Sequence, residues 1–176
     1  VFNISRPAIE KKEISDDGTI KYLFCLEDQS KIETVFIPEE KRSTLCISSQ
    51  VGCTLNCSFC HTGTQKLVRN LSSQEIVGQV IAVYDDLGLW EKKRVNSSHS
   101  SCFEIITNIV FMGMGEPLLN YQEVKKACSV LMDNKGLDFS RRRITLSTAG
   151  IVPKIKLAHE EIGCMIAVSL HATENK

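Results

Sequence analysis

Beyond residue 44 the chain alternates between short, β-rich apolar runs and segments whose apolar residues recur at helical spacing, and this order limits the available folds more than any other feature. Residues 44–50 read as a strand. Ser72-Ser73-Gln74-Glu75 is a capping box, in which Ser72 accepts from the Glu75 N–H and Glu75 reaches back. Ile76, Val77, Val80, Ile81, Val83, Tyr84 and Leu87 carry a helix on to Gly88. Residues 108–112 are the next strand, and Asn120-Tyr121-Gln122-Glu123 opens a second helix whose apolar face is Val124, Ala127, Cys128, Leu131 and Met132. Residues 143–147, 152–162 and 164–170 follow as strand, helix and strand. The order β-α-β-α-β-α-β with short connections calls for parallel strands, right-handed crossovers and burial on both sheet faces. The fold class is therefore α/β, with four strands and three helices belonging to an open doubly wound sheet or to part of a barrel. In both, chemistry sits at the C-terminal ends of the strands.

Upstream, residues 19–27 and 31–37 alternate in β fashion around Asp28-Gln29-Ser30, so residues 1–43 are expected to form a small N-terminal β-hairpin extension and residues 44–176 the parallel unit. Residues 88–104 are polar and aperiodic and read as a surface excursion with a short helical turn near Trp90.

With 176 residues, 43% of them apolar, and 21 basic against 21 acidic side chains, the composition excludes a disordered or collagen-like chain and suits one globular domain. Zero net charge argues against a broad DNA-binding face and leaves a local nucleic-acid patch open. No apolar run approaches the 18 or so residues of a membrane span, and residues 1–14 lack the apolar core of a secretory signal, so the default compartment is the cytoplasm. The chain opens on Val1 and stops just after an apolar run, and it reads as a piece of something longer.

Eight cysteines are too sparse for a disulfide scaffold, yet three of them crowd into Cys53-x3-Cys57-x2-Cys60. Such close spacing lets one loop hold a metal centre. Three thiolates leave one iron of a [4Fe–4S] cluster without a protein ligand, where a substrate can bind. Phe59 would shield that cluster. The alternative is zinc, which needs a fourth ligand; adjacent His61 is the only nearby candidate, and the paired knuckles of structural zinc sites are missing. A zinc-stabilised RNA-binding module without catalysis is the reading from another class.

The triplet, with an aromatic before its last cysteine, resembles the signature of radical S-adenosylmethionine (SAM) enzymes. Longer strings narrow the match. Leu45-Cys-Ile-Ser-Ser-Gln-Val-Gly-Cys53, Arg69-Asn-Leu71, Gly113-Met-Gly-Glu-Pro-Leu-Leu-Asn120, Thr145-Leu-Ser-Thr-Ala-Gly150 and Val168-Ser-Leu-His-Ala172 closely resemble the RlmN-type RNA adenine C2 methyltransferases. The resemblance implies a partial (β/α)6 radical SAM barrel of which this chain carries the first four strands and three helices. It further implies a [4Fe–4S] cluster on Cys53, Cys57 and Cys60, SAM as cofactor, 23S rRNA and tRNA as substrates, an electron donor such as flavodoxin, and action as a monomer.

In such enzymes SAM is cleaved to a 5′-deoxyadenosyl radical, and the methyl group reaches adenine C2 by way of a methylated cysteine near the C-terminus and a covalent enzyme–RNA adduct. Adenine C2 is not nucleophilic, so polar methylation does not suit it, and the cofactor carries the radical chemistry. By the resemblance, Gly115 and Glu116 match the turn that binds the SAM amino group, and Ser147, Ser169, Leu170 and His171 match further SAM contacts. Glu33 matches the proton acceptor, and Cys46 the cysteine that attacks the methyl-carrying one to release product. The structural alternatives are an exposed hairpin glutamate and a buried strand cysteine. The C8-modifying sister enzymes are a close alternative. The family's N-terminal RNA-binding domain, its remaining barrel strands and its methyl-carrying cysteine find no match in these residues, so this stretch alone is expected to be inactive.

Cys25, Cys102, Cys128 and Cys164 match no site and read as packing residues. Arg141-Arg142-Arg143 and Lys92-Lys93-Arg94 are charge runs that read as solvated surface before RNA contacts.

Overall fold

Side-chain alternation decides the first part of the computed structural model, which describes residues 6–55, 57, 60–90 and 106–170. In Ile20–Cys25 and Lys31–Pro38 every second residue is buried: Ile20, Tyr22 and Phe24 on one, Ile32, Thr34 and Phe36 on the other. The two pair antiparallel, with Tyr22 opposite Thr34, which is the expected hairpin. Its turn is closed by the Ser30 N–H donating to Asp28 Oδ1 at 3.0 Å while Gln29 adopts a φ of 66°. A strand precedes them that alternation does not reveal, because all seven residues of Ala8–Ile14 (β1) are exposed. Its ladder to Ile20–Cys25 (β2), the Glu10–Lys31 ion pair and the Lys12–Asp86 pair at 2.5 Å hold it.

Lys31–Pro38 (β3) pairs antiparallel with Ser43–Cys46 (β4), and a two-stranded ladder of Gln50–Val51 (β5) and Arg69–Asn70 (β6) stands apart. From β4 the sheet continues in parallel through Asn108–Phe111 (β7), Ile144–Thr148 (β8) and Met165–Val168 (β9). The order β1-β2-β3-β4-β7-β8-β9 makes one seven-stranded mixed sheet, with the N-terminal strands forming its antiparallel half.

Helix Ser73–Asp86 (α1) begins at the anticipated capping box: the Glu75 N–H donates to Ser72 Oγ at 3.2 Å and the Ser72 N–H to Glu75 Oε2 at 2.8 Å. Helices Tyr121–Leu131 (α2) and Val152–Glu161 (α3) complete the alternation. Asn120, at the entry of α2, makes no capping bond with its side chain; its amide is engaged elsewhere.

The parallel strands differ from expectation in their burial. Leu45, Ile109, Phe111, Ile144 and Leu146 lie fully inside the core shared with the helices. On the other face Cys46, Val110, Thr145 and Ser147 are only half-buried, and Met112 is 50% exposed. The reason is layering: among the described residues helices cover one face, so the strands alternate as in a two-layer sheet. Among the described residues no helix is long and apolar enough to cross a membrane. The region 91–105, including Lys92-Lys93-Arg94 and Cys102, lies outside the described residues, as does His171. Arg141–Arg143 form a 3-10 turn leading into the start of β8, at the opposite end of that strand from its Ser147-Thr148 terminus.

Candidate functional site

The chain leaves β4 at Cys46, runs through Ile47-Ser48-Ser49 into β5 and then makes the cysteine loop. The loop is closed at its base by the β5–β6 ladder, with Gln50 opposite Asn70 and Val51 opposite Arg69. Inside it the Cys53 N–H donates to the Gln65 carbonyl at 3.3 Å, Cys60 N–H to the Cys57 carbonyl at 3.0 Å and Gly63 N–H to the Cys60 carbonyl at 3.0 Å. Two glycines permit this fold-back. A Cβ on Gly52, where φ is +75°, would stand 2.2 Å from the Lys66 carbonyl oxygen, and one on Gly63 would stand 2.7 Å from that of Cys57. Replacing Gly52 by alanine is therefore expected to lower stability by about 2–4 kcal/mol, from left-handed strain plus the backbone clash. A urea midpoint unchanged from wild type would contradict that geometry.

Arg69 clamps the loop's return. Its Nη2 and Nη1 donate to the two oxygens of Glu75 at 2.8 and 2.9 Å, and its Nε donates to Asp28 Oδ2 at 2.7 Å. One guanidinium thus ties the loop base to the start of α1 and to the β2–β3 turn, in the bidentate geometry that only arginine offers.

Cys53, Cys57 and Cys60 are all half-buried thiols on this loop. Burial pushes the Cys53 thiol up, nearby Cys57, Cys60 and Glu116 push it further, and the Leu55 N–H, 3.4 Å from its sulfur, opposes them. Among the described residues no three His, Cys, Asp or Glu side chains converge as one metal ion would require, and His61 is exposed. Thiolates of a cubane cluster bind separate irons and stand farther apart than the ligands of one ion. Three thiols on one loop match the donor set of a [4Fe–4S] cluster, whereas tetrahedral zinc takes four ligands.

The Gly113–Glu116 turn follows β7 and lies against the segment just before the cysteine loop. Ser49 and Gln50 N–H groups donate to the Met114 carbonyl at 2.9 and 3.2 Å, and the Met114 N–H donates to Ser48 Oγ at 2.9 Å. Glu116 is buried, and its carboxylate accepts the Leu118 N–H at 3.0 Å and the Ala149 N–H at 2.8 Å. It thereby joins the ends of β7 and β8. A carboxylate has room for about four hydrogen bonds, so these two leave capacity for an ammonium group.

Cys46 and Glu33 share the less covered sheet face, because Cys46 pairs with Val35 and Glu33 lies two residues before Val35. Burial pushes the Cys46 thiol up to about 11, partly offset by a hydrogen bond from the Met112 backbone. Glu33 is half-buried, and its carboxylate is 2.7 Å from Lys21 Nζ, an ion pair the sequence did not announce. Ser147 is on the same face, in β8; Ser169 follows β9 with its N–H on the Thr148 carbonyl at 2.9 Å, and Leu170 is 74% exposed. Cys128 and Cys164 are buried, as packing residues should be.

Sequence reading missed the buried polar residues that bind these parts together. Asn120 donates to the carbonyls of Ser49 and Leu71 at 2.8 and 2.7 Å. Gln79, on the buried face of α1, accepts from Thr34 Oγ1 at 2.8 Å and the Ser48 N–H at 2.9 Å, and donates to the Ser48 carbonyl at 3.0 Å. Ser48 Oγ in turn donates to the Glu33 carbonyl at 2.6 Å. The available signal was the run Ser48-Ser49-Gln50, three polar residues where a strand's apolar pattern would continue.

Fold and sequence together mark the chain as homologous to radical SAM methyltransferases. It superposes on the crystal structure of a radical SAM methyltransferase from Sphaerobacter thermophilus with a TM-score of 0.82 and 41% identity, over 96% of this chain and 46% of that one. More particularly, it is a homologue of proteins named dual-specificity RNA methyltransferase RlmN. It is 57% identical to the one from Paracoccus denitrificans and 54% identical to the one from Dinoroseobacter shibae, in each case over 175 residues, 99% of this chain and 44% of the relative. The chain thus spans less than half the length of the curated relatives it matches. No protein-family model matches it.

Proposed function

We propose that the protein carrying this chain is a radical SAM RNA methyltransferase that methylates C2 of adenosine in 23S rRNA and tRNA. The reading rests on the gathering at one sheet edge of the cysteine loop after β4, the Gly113–Glu116 turn after β7 and the residues following β8 and β9. Cys53, Cys57 and Cys60 would hold the [4Fe–4S] cluster, and Gly115 and Glu116 would meet the SAM ammonium, with Ser147, Ser169, Leu170 and His171 as further contacts. When bound and reduced, such a cluster supplies the electron that cleaves SAM.

Each of this chain's own residues has a defined part. The three thiols give up their protons to become ligands, and the half-buried loop limits water around them. The Glu116 carboxylate, already fixed by two backbone N–H groups, presents a preorganised acceptor. Glu33 takes a proton, and Lys21 holds its carboxylate in place until then. The Cys46 thiolate would attack the sulfur of the methyl-carrying cysteine, forming an S–S bond as the bond from that sulfur to the adenine-bound carbon breaks; the electron pair leaves on that carbon, which takes a proton to become the methyl group, and an external dithiol reduces the disulfide before the next turnover. Strands β1–β3 extend the parallel segment as the antiparallel half of its sheet, and this stretch by itself is proposed to be inactive, since the methyl-carrying cysteine finds no match within it.

Two measurements on the full-length protein test this. Anaerobic purification should give about four irons and four sulfides per chain; one zinc and no sulfide would favour the non-catalytic module. Cells lacking the gene should lose 2-methyladenosine from their RNA. If 2-methyladenosine is unchanged and 8-methyladenosine is missing, the C8 sister activity replaces this assignment.

A further inference from the structure

We propose that Gln50 is a positioning residue for SAM: its side-chain amide sets the Gly115–Glu116 turn against the cysteine loop. The inference rests on the proposed assignment of that turn to the SAM amino group.

Gln50 is 1% exposed and lies three residues before Cys53, on the strand that closes the cysteine loop. Its Oε1 accepts the Glu116 N–H at 2.8 Å, and its Nε2 donates to Asn70 Oδ1 at 2.7 Å. The acceptor for Glu116 is therefore oriented by Asn70, which pairs with Gln50 across the base of the loop. Gly115 sits directly on the same side chain. At its φ of +93° a Cβ there would fall 2.4 Å from Gln50 Cβ and 2.6 Å from Cγ. Gln50 also donates its own N–H to the Met114 carbonyl at 3.2 Å.

Three consecutive residues of the turn are thus held by one side chain and its backbone. An apolar residue would fill the volume but would leave the Glu116 N–H buried without an acceptor. The Glu116 carboxylate accepts from Leu118 and Ala149, so any rotation of its backbone also moves the group that would meet the ammonium. Gln50 is not among the residues proposed to hold the cluster or SAM; it acts through the turn.

The test uses the full-length, cluster-loaded protein and SAM itself. Gln50→Met keeps the Cβ and Cγ that Gly115 packs on and removes only the amide. It is expected to retain its iron and sulfide while binding SAM about tenfold to a hundredfold more weakly in equilibrium dialysis, with faster hydrogen exchange at the Glu116 amide. Gln50→Glu restores an acceptor and should bind SAM more tightly than the Met variant. If the Met variant does not fold, Asn70→Ala, which leaves the Glu116 bond but removes its support, should weaken SAM binding several-fold.

Wild-type SAM affinity in a folded Met variant, with only a lower melting temperature, overturns the proposal, as does a Glu variant no better than Met. Wild-type affinity in Asn70→Ala overturns it too where the Met variant does not fold. Failure of the underlying assignment looks different: the loaded wild-type protein would bind no SAM, or Glu116→Gln would leave SAM affinity untouched.

Discussion

Alanine at any one of Cys53, Cys57 or Cys60 is expected to abolish SAM cleavage in the full-length enzyme, with no detectable 5′-deoxyadenosine and loss of the brown cluster chromophore. The loop explains why one substitution should be enough. Its three thiols are the proposed donor set, and the backbone that carries them is folded back on itself by the Cys53–Gln65, Cys60–Cys57 and Gly63–Cys60 hydrogen bonds. With one sulfur gone, two anchors remain for a cluster that already lacks a protein ligand at one iron. Cys128 and Cys164 are buried in the core and cannot take over without unfolding it. Iron content and 5′-deoxyadenosine should fall together. A variant that kept both would show that its cysteine is no ligand.

Much of this architecture was readable from periodicity because the burial it reports is one-sided and local. Helix α1 shows its capping box in four consecutive residues and its apolar stripe in the next twelve, and both appear where the spacing put them. Strand β1 was hidden for the opposite reason. Ala-Ile-Glu-Lys-Lys-Glu-Ile buries no face, and its place is fixed by a ladder to β2 and by charges contributed from β3 and α1, partners distant in sequence. Expected burial on both faces failed because periodicity reports that a strand is apolar and not how many layers cover it.

The site divides in the same way. The cysteine triplet is a contiguous motif. The brace around it is not: Gln79 is 31 residues from Ser48, Asn120 is 71 from Ser49, and Gln50 is 66 from Glu116. A glutamine on a helix face looks solvated until a strand end with unpaired backbone groups is laid against it. Here Gln79 both accepts from and donates to Ser48, which satisfies the strand end just after Cys46 as a neighbouring strand would. Such residues are identified by the backbone groups they satisfy, which exist only after folding.

Cys46→Ala in the full-length enzyme is expected to leave SAM cleavage intact and to trap a covalent protein–RNA adduct, visible as a gel-shifted species that survives denaturation. Cys46 stands seven residues before Cys53 and ends β4 on the less covered face, opposite Val110 and beside the strand that carries Glu33. That position puts it on the sheet face proposed to meet substrate and outside the proposed ligand triplet. Its chemistry also fixes a pH dependence. Burial raises the thiol to about 11, so at pH 7 only about one molecule in 10⁴ carries the thiolate. Disulfide exchange requires that thiolate, and its fraction grows about tenfold per pH unit below the raised value. Release of preformed wild-type adduct should therefore accelerate about tenfold per unit between pH 7 and 9, while 5′-deoxyadenosine formation, which does not use Cys46, should not follow that slope. A flat release rate would mean that Cys46 ionisation does not limit the step. Normal turnover by Cys46→Ala with no adduct would return this residue to the role of a half-buried strand cysteine.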